Sequence, residues 1–369
     1  MRILVSGMVA GEPGQGGAAW AVLQYVLGLR RLGHEAILVE PVEKIEPASL
    51  AYLEAVAASF GLDEVALLAA DGESAPMPRE RLVRLARDAE LLLNVSGMLT
   101  DPELLEPIPV RAYLDLDPFF NQQWHLQGAE MRFAGHTRFV TIASAIGEPG
   151  CEVPELGFEW IATLPPVVLE HWPRATATPT LPFTSVGHWR SYGPIELDGR
   201  RYGLRAHSLR GLIELPERTR GEFALALGIH PDERRDLEAL ERHGWRLLDP
   251  AEVAATPAAY RDFVRASGAE LGVAKEGYVL SRSGWFSDRS ACYLASGRPV
   301  VAQDTGFGAA LPSGEGLLAF GDVEEAAAAV ESVLSRPAEH AAAARAIAEE
   351  LLDSDRVLGR LLDALGPVR

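Results

Sequence analysis

Apolar and polar positions along the chain switch between two periods. Short aliphatic runs at 3–7, 35–40, 91–95, 111–116 and 139–142 are each followed by turn residues and suit buried parallel strands. An amphipathic stretch over 18–32, stopped by Gly33, separates the first two, so the chain opens with a βαβ unit. The periodicity lapses over 148–182, where Pro165-Pro166 and Ala175-Thr176-Ala177-Thr178-Pro179-Thr180 read as a linker. It then restarts, with strands expected at 183–186, 223–227, 245–248, 271–274, 299–302 and 317–320 and helices between them. The tail reads as helices over 323–334, 337–351 and 355–365. The predicted class is α/β, with two Rossmann-like parallel-sheet domains facing each other across a cleft.

Composition narrows this picture. At 369 residues the chain can fill two ordinary cores, and a 48% hydrophobic, 23% charged composition suits a globular protein. No apolar run reaches the ~18 residues of a membrane span, and Met1-Arg2 runs straight into a strand rather than a leader, so a cytoplasmic protein is expected. A net charge of -18 disfavours nucleic acid and anionic membranes as partners, so an anionic ligand needs a local nest of donors. Cys151 and Cys292 are expected as free thiols, and no close Cys/His spacing points to a metal. Only two lysines occur, Lys44 and Lys275, and Lys275 ends an apolar strand.

The segment from Ala269 to Gly306 holds the clearest chemistry: strand, polar loop, helix start, Gly-Arg-Pro turn and second strand. In Ser283-Gly284-Trp285-Phe286-Ser287-Asp288-Arg289-Ser290 the Ser287 cap precedes a helix whose free amides and positive dipole end attract phosphate. The hydroxyls of Ser287 and Ser290 and the charge of Arg289 are candidate contacts to a diphosphate. The same residues also suit an ordinary capped helix, with Trp285 and Phe286 packed between the domains. In the first half, Asp115 and Asp117 alternate onto one side of a strand end, where a carboxylate can deprotonate an acceptor hydroxyl. His136 is a second candidate base, and Ser96 and Gly97 sit at another strand end.

The run Ala295-Ser296-Gly297-Arg298-Pro299-Val300-Val301-Ala302, followed by Asp304-Thr305-Gly306, resembles the donor half of GT-B-type glycosyltransferases. The resemblance implies an acceptor-side domain over 1–172, a linker over 173–182, a nucleotide-sugar domain over 183–352, and a last helix over 353–369. That helix either crosses back to the first domain, as in the family, or completes the second domain's own core. The resemblance also implies a Gly-Gly loop across the cleft from the donor phosphates, carried here by Gly16 and Gly17. Gly187 matches the family's glycine at the start of the second domain, and His188 or Arg190 takes the basic role there. The usual downstream lysine is missing, with Arg200, Arg201 and Arg205 as stand-ins. Many retaining relatives carry a glutamate pair where this chain has Gly284 and Cys292, leaving Asp288 as the nearest acidic substitute.

The expected activity is transfer of a sugar from a nucleotide-diphosphate sugar to an acceptor hydroxyl or amine, without metal or further cofactor. Helix amides and Arg289, helped by Lys275 or Arg190, would meet the leaving diphosphate. A nucleotide-sugar epimerase and a non-catalytic sugar-nucleotide binder are the alternatives. A nicotinamide oxidoreductase is a further one, because Gly14-Gln15-Gly16-Gly17-Ala18-Ala19 superficially fits a dinucleotide fingerprint with Glu40 as ribose partner. Against it, Met8–Pro13 separate the glycines from the first strand.

Overall fold

Sixteen strands form two parallel sheets and one small hairpin in the computed structural model, which describes residues 1–366. Residues 367–369 of the expected last segment lie outside the described residues. The first sheet contains β1 (Arg2–Ser6), β2 (Glu35–Val42), β3 (Val65–Ala69), β4 (Ser74–Pro76), β5 (Leu91–Val95), β6 (Val110–Asp115), β7 (Arg138–Thr141) and β8 (Trp160–Ala162). Their order is β4-β3-β2-β1-β5-β6-β7-β8, parallel except for β3 with β4.

The second half contributes β9 (Leu181–His188), the hairpin β10 (Ile195–Leu197) with β11 (Arg200–Tyr202), β12 (Phe223–Gly228), β13 (Arg246–Leu247), β14 (Ser267–Gly272), β15 (Val300–Gln303) and β16 (Leu317–Phe320). Its sheet runs β13-β12-β9-β14-β15-β16, parallel throughout. Chain order reverses direction between β1 and β5 in one sheet and between β9 and β14 in the other. Such switch points leave a crevice outside the carboxyl ends of the strands.

Two departures from the sequence pattern have physical causes. β14 starts at Ser267, four residues before the expected apolar run, because Glu270 interrupts the run while lying fully buried in a pair with Arg289. β3 is buried along its whole length, so it lacks the alternation that marks a half-exposed strand.

The chain passes between the two sheets twice, and the two crossings are hydrogen-bonded side by side: Val167 N–H to Leu352 O at 2.8 Å and Ser354 N–H to Val167 O at 2.9 Å. The last helix, Ser354–Leu365, lies against the first, Gly16–Arg31. Gly28 permits this approach, since a Cβ there would sit 2.5 Å from Leu358 Cδ1, and Arg31 pairs with Asp355 at 3.0 Å. One apolar cluster runs from Trp20, Leu23 and Leu27 of the first helix to Phe263, Tyr293 and Leu358, so the core is continuous across the two halves.

Candidate functional site

A cavity of about 370 Å³ lies between the switch points of the two sheets. From the first half it is lined by Gly14, Gln15, Gly17 and Ala18, which follow β1; from the second, by Gly187 and His188 at the end of β9, Gly228 at the end of β12, and Lys275 after β14. Arg205, Asp288, Arg289 and Tyr260 also line it.

Arg205 is the unusual group. Its Nε donates to Val273 O at 3.1 Å and its Nη1 to His188 O at 3.1 Å, and among the described residues no carboxylate pairs with it. Enclosure, then the charge of Arg289, pulls its pKa down from the ordinary arginine range to about 9. A guanidinium held by carbonyl oxygens alone leaves its charge unmatched, which an anion in the cavity would match. Gly187, with φ of 144°, makes room for it: a Cβ there would lie 2.4 Å from Arg205 Nη1.

Lys275 joins the cavity to a polar cluster. Its Nζ is 2.8 Å from Asp117 Oδ2 and bonds the hydroxyl of Tyr192. The Tyr192 hydroxyl shares its single proton between the two Asp117 oxygens, at 2.9 and 2.7 Å, and Tyr278 donates to Oδ1. Burial lowers the Lys275 pKa, opposed by the Asp117 charge.

Seven expected site residues line this cavity: Gly17, Gly187, His188, Arg205, Lys275, Asp288 and Arg289; Arg200 and Arg201, the other two stand-ins for the missing lysine, do not. Arg289 is a weaker anion contact than its charge suggests, because its Nε lies 2.5 Å from Glu270 Oε1 in a buried pair. Gly16 lies beside the cavity with its N–H on Ala254 O at 2.8 Å; a Cβ there would fall 2.2 Å from Thr256 O. It serves domain contact, which leaves Gly17 as the loop glycine on the cavity wall.

Apart from Asp288 and Arg289, which reach the cavity, the loop from Ser283 to Ser290 is packed against the protein. Ser283 is buried and accepts from Trp285 N–H, Gly284 presses on Ser144 and Ala145, and Trp285 stacks on Tyr278 at 4.5 Å. Ser287 Oγ accepts the Arg289 N–H at 3.2 Å, and Ser290 is buried. Burial raises the Asp288 pKa, opposed first by the charge of Arg289 and then by the backbone N–H groups of Arg289 and Asp288. At this helix start the Ser287 hydroxyl takes the Arg289 amide and lies beside the Asp288 carboxylate. Arg190 pairs with Glu233 away from the cavity.

On the acceptor side, Asp115 is fully buried rather than free to act as a base. It takes hydrogen bonds from Thr141, Asn121, Gln122 and the Asp117 N–H, and burial pushes its pKa up to about 6. It organises the strand end that carries Asp117. His136 bonds Asn94, and neither His136 nor Ser96 nor Gly97 lines the cavity. Glu40 accepts from the Ala10 and Gly11 amides at 2.7 Å each, so it braces the loop after β1 instead of facing a ribose. Cys292 is buried against Gln24, while Cys151 is half-buried and unpaired. Tyr192 and Tyr278 were not among the expected residues, since nothing in their local sequence marks them as neighbours of Asp117. Two members of this cluster were marked in the sequence, Asp117 as a strand-end carboxylate and Lys275 by the scarcity of lysine. Among the described residues no three His, Cys, Asp or Glu side chains gather to hold a metal, and no helix is long and apolar enough to cross a membrane.

No protein-family profile matches the chain, and no curated protein matches it by sequence. Solved structures match it over nearly its whole length. An alpha-glucosyltransferase in complex with UDP and DNA is similar at a TM-score of 0.65 and 13% identity, covering 99% of this chain and 100% of that one. An Anabaena protein, HepE, in complex with UDP and glucose has a TM-score of 0.59 at 13% identity, covering 99% of each chain. A sucrose-phosphate synthase from Thermosynechococcus elongatus has 0.56 at 12%, again covering 99% of each. At these identities the likeness is one of fold: the chain has the two Rossmann-like domains of GT-B glycosyltransferase structures.

Proposed function

We propose that this protein is a glycosyltransferase that transfers a sugar from a nucleotide-diphosphate sugar to an acceptor hydroxyl or amine. The observation that carries the reading is Arg205, a guanidinium without a carboxylate partner among the described residues, facing a cavity at two opposed switch points. Structures of the same fold hold UDP, which is the class of ligand such a cavity would take. In this reading Arg205 and Lys275 carry the charge of the departing diphosphate without a metal, and Gly17 and Gly187 let it approach the backbone. Asp288, the one carboxylate on the cavity wall, would accept from the ribose hydroxyls in place of the missing glutamates.

The net charge of -18 argues against nucleic acid as the acceptor, and a cytoplasmic setting belongs to the same proposal. A non-catalytic nucleotide-sugar binder is the second reading, favoured by Gly284 and Cys292 at the glutamate positions, both packed away from the cavity. Calorimetric titration with UDP, GDP, dTDP and NAD, followed by donor-hydrolysis assays with the corresponding sugars, tests both. Nucleoside-diphosphate binding with slow hydrolysis of a donor supports the transferase, and binding without turnover under any acceptor supports the binder. Absence of nucleoside-diphosphate binding overturns both.

A further inference from the structure

Asp117 follows the end of β6, where a base is expected from the sequence, yet its oxygens are already engaged. Oδ1 accepts from Tyr278 and Oδ2 from Lys275, and the single Tyr192 proton is shared between the two oxygens. An ionised carboxylate offers about four lone-pair sites, and three donors, Tyr192, Tyr278 and Lys275, already converge on them. The Lys275 ammonium is fixed as closely. It bonds Asp117 and Tyr192 and sits 4.3 Å from the Tyr192 ring centroid, 5.2 Å from Tyr278 and 5.3 Å from Phe120. A lysine has a flexible four-carbon stem and places a point charge only where neighbours hold it. Here the neighbours come from both halves: Asp117 and Phe120 from the first, Tyr192 and Tyr278 from the second. Lys275 is the member of this cluster that also lines the donor cavity.

We propose that Asp117, with Tyr192 and Tyr278, is a positioning cradle that presents Lys275 to the donor diphosphate, so that a first-domain carboxylate sets how tightly the second domain holds its nucleotide. The inference rests on the proposed nucleotide-sugar reading. It assigns Asp117 to donor binding instead of proton abstraction from the acceptor.

UDP titration by calorimetry on the full chain tests it without any turnover assay. Lys275→Ala is expected to weaken UDP at least tenfold, and Asp117→Asn to reproduce most of that loss. The double variant is expected to bind no worse than Lys275→Ala alone, because the carboxylate acts through the lysine. Tyr192→Phe is the milder probe, expected to cost about threefold by the same logic of a lost hydrogen bond, and to cost nothing in the Lys275→Ala background. The pH at which UDP affinity falls is expected to move lower in Asp117→Asn. The charged and titratable groups around Lys275 are Asp117, Asp115, Arg205, His188, Tyr192 and Tyr278, and this variant changes one of them. UDP binding equal to wild type in Asp117→Asn and Tyr192→Phe, or losses that add in the double variant, would overturn the cradle. Wild-type protein that binds no nucleoside diphosphate would instead remove the reading beneath it.

Discussion

Two arginines on one cavity wall are expected to behave in opposite ways when removed. Arg289 is matched by Glu270, which is fully buried; Arg289→Ala leaves that carboxylate alone and should cost about 3–5 kcal/mol of stability, measured by urea unfolding. Arg205 is matched by no carboxylate among the described residues, so Arg205→Met should leave the unfolding midpoint unchanged or raised while weakening UDP at least tenfold in the same preparation. The titration of this wall has a definite sign. Arg205 and Lys275 both have lowered pKa values, and a diphosphate prefers their charged forms. Affinity is therefore expected to fall as pH rises toward about 9, with proton uptake on binding visible as a buffer-dependent enthalpy. A flat affinity profile up to pH 9.5 would place neither cation on the ligand.

At the scale of elements, the end of β6 is held by Asp115. Its folded pKa of about 6 lies above the model-peptide value of 3.8, so between these pH values the folded state keeps a proton that the unfolded chain has released. Stability from this group is thus largest at the acid end and falls as pH rises through the window. Asp115→Ala, which orphans the donors of Thr141, Asn121 and Gln122, should cost about 3 kcal/mol, and the difference from wild type should shrink between pH 4 and pH 6.5 in chemical unfolding. Legibility in the sequence follows the same division between local and distant partners. β5 and β16 are aliphatic runs bounded by turns, and their limits coincide with the expected 91–95 and 317–320. β14 is displaced because burying Glu270 depends on an arginine nineteen residues away. Gly17, Gly187 and Lys275 were legible as strand-end or loop residues. The Asp117 cluster was not, because Tyr192 and Tyr278 reach it from 75 and 161 positions along the chain.

For the whole molecule, contacts on several sides of the cavity bear on how a nucleotide enters. Beside the cavity, Gly16 N–H bonds Ala254 O, Trp20 Nε1 bonds Pro257 O at 2.8 Å, and Tyr52 bonds Ala255 O at 2.9 Å. Elsewhere along the seam, Ala143 bridges Trp285, Ser144 bonds Gly284 O at 2.8 Å, and Glu152 N–H bonds Ser281 O at 2.7 Å. A continuous apolar core and two hydrogen-bonded crossings lie between the halves. Opening a hinge would break all of these together and expose apolar surface, at a cost that rises with the area uncovered. The two halves are therefore expected to behave as one body, with small-angle scattering giving the same radius of gyration with and without saturating UDP. Gly16→Ala provides the contrast, because its Cβ meets the backbone of Thr256 and Ala254 and can be accommodated only by moving the halves apart. That variant should melt earlier and bind UDP more weakly, whereas Gly17→Ala meets only the Tyr260 side chain, at 2.9 Å, and should be milder on both counts. A wild-type radius that contracts on adding UDP would show instead that the closed arrangement is reached only with ligand, and that the seam contacts are made and broken in each binding cycle.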